Sequence, residues 1–123
     1  MANEITVSAS LAFLKGSAAA TLAKAATKFT VSGAHFSSTV FNVPTTAGGT
    51  AIPLGSVTAG GWCFIQNNDP TNYVQLLTAV SGTAFMRLMP GEFAAFRIDA
   101  GLTAPAALAH TAACDLEYLL IDA

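Results

Sequence analysis

Apolar and polar positions alternate with period two from the start of the chain. Ile5, Val7, Ala9, Leu11 and Phe13 fall on one face, and Thr6, Ser8, Ser10 and Ala12 on the other, which predicts a half-buried β-strand. Lys15-Gly16-Ser17 reads as a turn. Ala18 to Lys28 is rich in alanine, which favours helix by propensity. A helix there would bury little more than methyl groups, however, and Thr21 and Thr27 suit strands, so the segment is read as extended. Phe29-Thr30-Val31-Ser32 alternates again before Gly33, and Phe36 to Val43 is β-branched and aromatic until Pro44 stops it. Trp62-Cys63-Phe64-Ile65-Gln66 is apolar on both faces, as a central strand should be.

Turn formers separate the remaining runs. Thr45 to Thr50 is a polar loop around Gly48-Gly49, and Ala51 to Gly55 reads as an edge or connector because Pro53 cannot donate to a ladder. Asn67-Asn68-Asp69-Pro70 is a turn. Tyr73 to Val80 and Phe85 to Met89 are strands joined through Ser81-Gly82-Thr83, with the glycine available for a positive φ. Pro90-Gly91 occupies the two central positions of a type II turn. Phe93 to Ile98 resumes the strand pattern, and Asp99-Ala100-Gly101 closes it. In the last strand Cys114, Leu116, Tyr118 and Leu120 alternate with Asp115, Glu117 and Leu119. With no amphipathic helix in view, the expected architecture is all-β: a single antiparallel β-sandwich domain over residues 1–123, jelly-roll-like, with about eight strands.

Composition sharpens this reading. Only 10% of the 123 residues are charged, against about a quarter in an average soluble protein. Alanine contributes 25 residues and serine plus threonine 22, so the surface must be largely small and neutral. Such a surface packs against neighbours without the cost of desolvating ions, and the chain is therefore expected to live in an assembly. The five cations Lys15, Lys24, Lys28, Arg87 and Arg97 are scattered and the net charge is −2, which argues against direct nucleic-acid binding. Residues 29–68 lack charge but are interrupted too often by Gly, Pro, Ser, Thr and Asn to form a membrane span. Met1-Ala2-Asn3-Glu4 offers no basic n-region, so synthesis and retention in a cytoplasm are expected. In that compartment Cys63 and Cys114 read as small buried apolar residues rather than a bridge.

A search for chemistry returns little. His35 and His110 have no second ligand at metal-binding spacing. No serine or cysteine sits in a nucleophile motif, and the acid pairs Asp69 with Glu92 and Asp115 with Glu117 read more simply as turn and solvated-face residues. Gly48-Gly49 and Gly60-Gly61 lack phosphate-loop spacing. The expectation is therefore no enzyme activity, no cofactor and no metal. Trp62, Tyr73 and Tyr118 could stack on a sugar, but apolar neighbours place them more naturally in a core or interface.

Four blocks carry a resemblance: Asn3-Glu4-Ile5-Thr6-Val7-Ser8-Ala9-Ser10-Leu11, Asn67-Asn68-Asp69-Pro70-Thr71-Asn72-Tyr73-Val74, Pro90-Gly91-Glu92 with Arg97, and Leu116-Glu117-Tyr118-Leu119. Together they span almost the whole chain, and they resemble the small virion structural proteins of tailed bacteriophages. The resemblance implies an oligomeric β-sandwich of the virus particle, made in the bacterial host cytoplasm. The preferred role is a capsid decoration or cement protein, a homotrimer on the capsid exterior bridging the major capsid protein. An N-terminal strand such as Ile5 to Phe13 could then join a neighbour by strand addition. The alternatives are a neck or tail component and a carbohydrate- or receptor-binding module.

Overall fold

The computed structural model describes residues 3–99 and 104–123, and those residues contain β-strands and no helix. Their contacts divide the chain into two compact units that meet in sequence at Ser32 and Gly33; each is described by itself.

The first unit is a hairpin of two strands, β1 (Ile5–Lys15) and β2 (Ala18–Phe29). Lys15 pairs with Ala18 across a two-residue loop. Gly16 takes φ +59° while Ser17 stays at negative φ, the II′ pattern whose twist matches that of the flanking strands. The extended reading of 18–28 is thus the observed one. β1 keeps the predicted alternation, but its register against β2 slips once. Val7 pairs with Thr27 and Ala9 with Lys24, so Ala25 and Ala26 both stand opposite Ser8. This bulge transfers Lys24, Leu22 and Ala20 to the face of β2 that they would otherwise turn away from. The expected half-burial of β1 is corrected: Ile5 is buried, Val7 is partly so, and everything from Ser8 onward is exposed. Two strands alone have no second layer to bury a face against.

The second unit, Gly33–Ala123, holds eight strands among the described residues: β3 (Phe36–Val43), β4 (Thr50–Ala51), β5 (Gly60–Asn67), β6 (Val74–Leu77), β7 (Ala84–Leu88), β8 (Phe93–Arg97), β9 (Ala106–Ala109) and β10 (Cys114–Asp122). They form two four-stranded antiparallel sheets, ordered β3-β10-β5-β8 and β4-β9-β6-β7. One core draws on both. Val43, Cys63, Ile65, Cys114, Leu116, Tyr118 and Leu120 come from the first sheet, and Val74, Leu76, Leu88, Ala107 and Ala109 from the second.

Several strand boundaries differ from expectation for identifiable reasons. Ala106–Ala109 is a strand that the alternation pattern did not single out, because Ala106 and Ala107 are fully buried and β9 is hydrogen-bonded between β4 and β6; tertiary packing outweighs the weak β-propensity of alanine. Thr30 to Ser32 is not strand; β2 ends at Phe29. Thr50–Ala51 forms a short strand on the chain's polar loop. β6 stops at Leu77, and the connection to β7 is closed by the Thr78 N–H donating to the Thr83 carbonyl, with Ser81 rather than Gly82 at positive φ. Gly82 is needed for another reason: a Cβ there would lie 2.8 Å from the Ala79 nitrogen. The Met89–Glu92 turn is as expected, with Gly91 at φ +80° and the Glu92 N–H donating to the Met89 carbonyl. The predicted stop at Asp99-Ala100-Gly101 falls partly outside the described residues.

Candidate association surfaces

Nine of the thirteen large apolar side chains exposed among the described residues fall on two surfaces, one in each unit. On the hairpin, the cross-strand pairs Ala9–Lys24, Leu11–Leu22, Phe13–Ala20 and Lys15–Ala18 share one face. Leu11 is 77% and Leu22 66% exposed. An apolar centre is therefore flanked by two lysines. The opposite face carries Ser10, Ala12 and Leu14 against Ala23, Thr21 and Ala19, smaller and more polar apart from Leu14.

The second surface is the outer face of the β3-β10-β5-β8 sheet. Because Leu116, Tyr118 and Leu120 point inward, Asp115, Glu117 and Leu119 point out. Register extends this into rows: Val40, Glu117, Gln66 and Phe93 in one, and Ser38, Leu119, Phe64 and Ala95 in the next. Phe36 stands opposite Ile121, and Arg97 opposite Trp62, toward one end; Asn42 opposite Asp115 lies toward the other. Phe36 is 66% and Phe93 65% exposed, and the Phe64 and Phe93 rings stack at 5.8 Å. The result is an aromatic and aliphatic band with Asp115 at one end and Glu117 in the adjoining row. Asp115 accepts from the Asn42 side-chain amide at 2.8 Å and Glu117 from that of Asn68 at 3.1 Å, which fixes both acids in place.

The residues singled out for possible chemistry are occupied structurally. Asp69 Oδ1 accepts from the Asn72 and Thr71 backbone N–H groups at 2.6 and 2.8 Å and from the Thr71 hydroxyl. Those two backbone donors hold its carboxyl below the usual carboxylate range. Glu92 accepts from the Met89 N–H at 2.8 Å. Each acid of this pair is thus tied to its own turn. Cys63 and Cys114 are free thiols in the core; burial pushes Cys63 up to about 11 and raises Cys114 as well, far from the thiolate character that reactivity needs. Tyr118 is buried, and its hydroxyl donates to the Pro53 carbonyl at 2.7 Å, which removes it as a sugar platform. Tyr73 is half-buried, stacked on His110 at 4.5 Å with the Arg87 guanidinium 4.3 Å from its ring centre. His110 Nε2 lies 2.7 Å from Gln75 Oε1. Trp62 sits on β5 and is partly exposed. Among the described residues no group of three or more His, Cys, Asp or Glu is placed to hold a metal ion, and no helix is long and apolar enough to cross a membrane.

Among the described residues Asn67 and Asp122 are the buried polar ones, and sequence reasoning gave neither a special role. The Asp122 side chain ties its own strand to two other segments of its unit. Its Oδ2 accepts from the His35 N–H at 3.0 Å and faces the His35 Nδ1 at 3.0 Å, and its Oδ1 accepts from the Thr58 N–H at 3.2 Å. The flanking backbone adds three bonds: Gly33 N–H to the Ala123 carbonyl, Ala123 N–H to the Ala59 carbonyl and Asp122 N–H to the His35 carbonyl. Burial works to raise the Asp122 carboxyl, but the His35 and Thr58 hydrogen bonds prevail and hold it below its ordinary range. A carboxyl depressed on folding contributes stability above its unfolded value, and that contribution is lost as pH falls through the folded value. The melting temperature is therefore expected to be flat from neutrality to about pH 5 and to fall below about pH 4, where carboxylates protonate. Asp122→Asn should melt lower at pH 7 and lose less on acidification. A parallel acid limb in the variant would place the effect elsewhere.

The chain matches no family model, no curated protein and no solved structure.

Proposed function

We propose that this chain is a structural protein of a tailed-bacteriophage particle, acting as a capsid decoration or cement protein that binds the outer shell as an oligomer, with the major capsid protein as its partner. One observation carries the reading: large apolar side chains are concentrated on the exposed faces of a hairpin and of one sheet, in a chain with few ions to solvate them. Monomeric soluble proteins rarely leave extended apolar patches uncovered, and such patches mark interaction sites. A shell-binding protein meets that condition by contact area alone.

Within this reading Gly33–Ala123 is a jelly-roll β-sandwich. The supporting pattern is the nesting of its ladders: β3 pairs with β10, β4 with β9, β5 with β8 and β6 with β7. A long hairpin rolled upon itself produces this order, dividing its strands between two sheets. The arrangement leaves the sheet faces and hairpin to make contacts while the core keeps the unit folded.

Purified chain mixed with expanded capsids of a tailed phage is expected to pellet with them at a copy number in the hundreds, counted by mass spectrometry of washed particles. Binding to isolated tails with none to capsids would replace this role by that of a neck or tail component. Binding to neither would end the virion reading.

A further inference from the structure

We propose that the lysine-flanked face of the hairpin docks on the outer face of the β3-β10-β5-β8 sheet of a second copy of this chain, each copy both giving its hairpin and receiving one. The proposal rests on the virion reading only in taking the chain as an assembly subunit, and it adds which surfaces join.

Charge distribution selects the partner. The sequence up to Ser32 carries three lysines against Glu4, a formal +2, while Gly33–Ala123 carries two arginines against six acids, a formal −4. The same signs hold on the facing surfaces. Lys15 and Lys24 flank Leu11, Phe13 and Leu22 on the hairpin, and Asp115 and Glu117 border Val40, Leu119, Phe64 and Phe93 on the sheet. Both surfaces thus combine an apolar band with net charge of opposite sign, Arg97 standing at the far end of the sheet face from the two acids. Two hairpins facing one another would set lysine against lysine. Complementary charge of this kind fixes partner and register.

Area decides the form of the exchange. Strands of about eleven residues at about 3.3 Å each, two abreast, give a face of about 360 Å². A single hairpin-on-sheet junction then buries about 700 Å² in all, the size of a crystal-packing contact, whereas two reciprocal junctions bury about 1,400 Å², within the range of stable specific interfaces. A reciprocal dimer, in which the same two copies share both junctions, meets the requirement; a one-sided contact does not.

The test is a charge exchange read by sedimentation at micromolar concentration. Wild type is expected to sediment as a closed dimer and to dissociate as salt is raised. The variant K15E/K24E and the variant D115K/E117K should each weaken association at least tenfold, and the chain carrying all four substitutions should regain it. All four positions are exposed, so circular dichroism and melting temperature serve to confirm that each variant is folded. A wild-type monomer, or an oligomer indifferent to K15E/K24E, overturns the proposal; so does failure of the fourfold variant to recover. Capsid pelleting of the same variants separates the two readings. Recovery of association without capsid binding leaves this interface standing and removes the capsid role, whereas capsid binding without recovery does the reverse.

Discussion

Replacing Asn67 by leucine is expected to lower the stability of the protein by about 3 kcal/mol, the largest loss from any single polar side chain. Asn67 is fully buried at the end of β5. Its amide nitrogen donates to the Asn72 carbonyl at 2.9 Å and the Leu88 carbonyl at 3.1 Å, and its Oδ1 accepts from the Asp69 N–H at 3.0 Å. The backbone of the same residue receives the Gly91 N–H and donates to the Glu92 carbonyl. One side chain therefore joins the 67–72 turn to the end of β7, and one residue adds the β7–β8 turn. Leucine matches the volume but strands the Leu88 carbonyl in a buried setting, where a lost partner costs about 1–3 kcal/mol. For a unit of this size the melting temperature should fall by roughly 12–24 °C. Asn68→Ala is the comparison: Asn68 is exposed and its side chain reaches Glu117 at the surface, so its loss should stay within about 0.5 kcal/mol. Equal effects at 67 and 68 would show that the buried hub is not what holds these turns.

The triple substitution Leu11→Ser, Phe13→Ser, Leu22→Ser is expected to leave the melting temperature nearly unchanged while weakening association by about 100-fold or more. The three side chains are exposed, and the core of Gly33–Ala123 contains none of them, so folding has little to lose. Each would bring about 1.5–3 kcal/mol if fully buried against a partner, although binding recovers only part of such sums because ordering and desolvation oppose it. Equilibrium sedimentation and capsid pelleting measure the outcome. A variant that associates like wild type would show that the hairpin face stays in solvent.

The hairpin was readable in the sequence because the alternation of Ile5 to Phe13 and the placement of Gly16 are local facts, and local facts also fixed the Gly91 turn. The bulge opposite Ser8 was not readable. Nothing in Ala25-Ala26 distinguishes the extra residue from its neighbours, yet it decides which face Leu22 and Lys24 share with Leu11. The strand Ala106–Ala109 escaped for a related reason: alanine carries almost no strand signal, and burial between β4 and β6 supplies what the sequence lacks. The last strand announced that Asp115, Glu117 and Leu119 share a face. That Phe64 and Phe93 complete the same band depends on the β10–β5–β8 register, which involves residues far apart in the chain. Asn67 was legible as a turn former and illegible as a buried hub, because its acceptor at Leu88 lies 21 positions onward.

The nested ladders have a consequence for synthesis. The Gly16 turn closes the hairpin across two residues, an event on the scale of microseconds once its strands have emerged. The sheet that carries Asp115 and Glu117 has β10 as an inner member, so it cannot exist until β10 has emerged and inserted between β3 and β5. Pairings that distant in sequence form slowly, on the millisecond-to-second scale typical of such folds. A nascent chain can thus offer a hairpin early but cannot receive one, and exchange between copies must wait until β10 is in place.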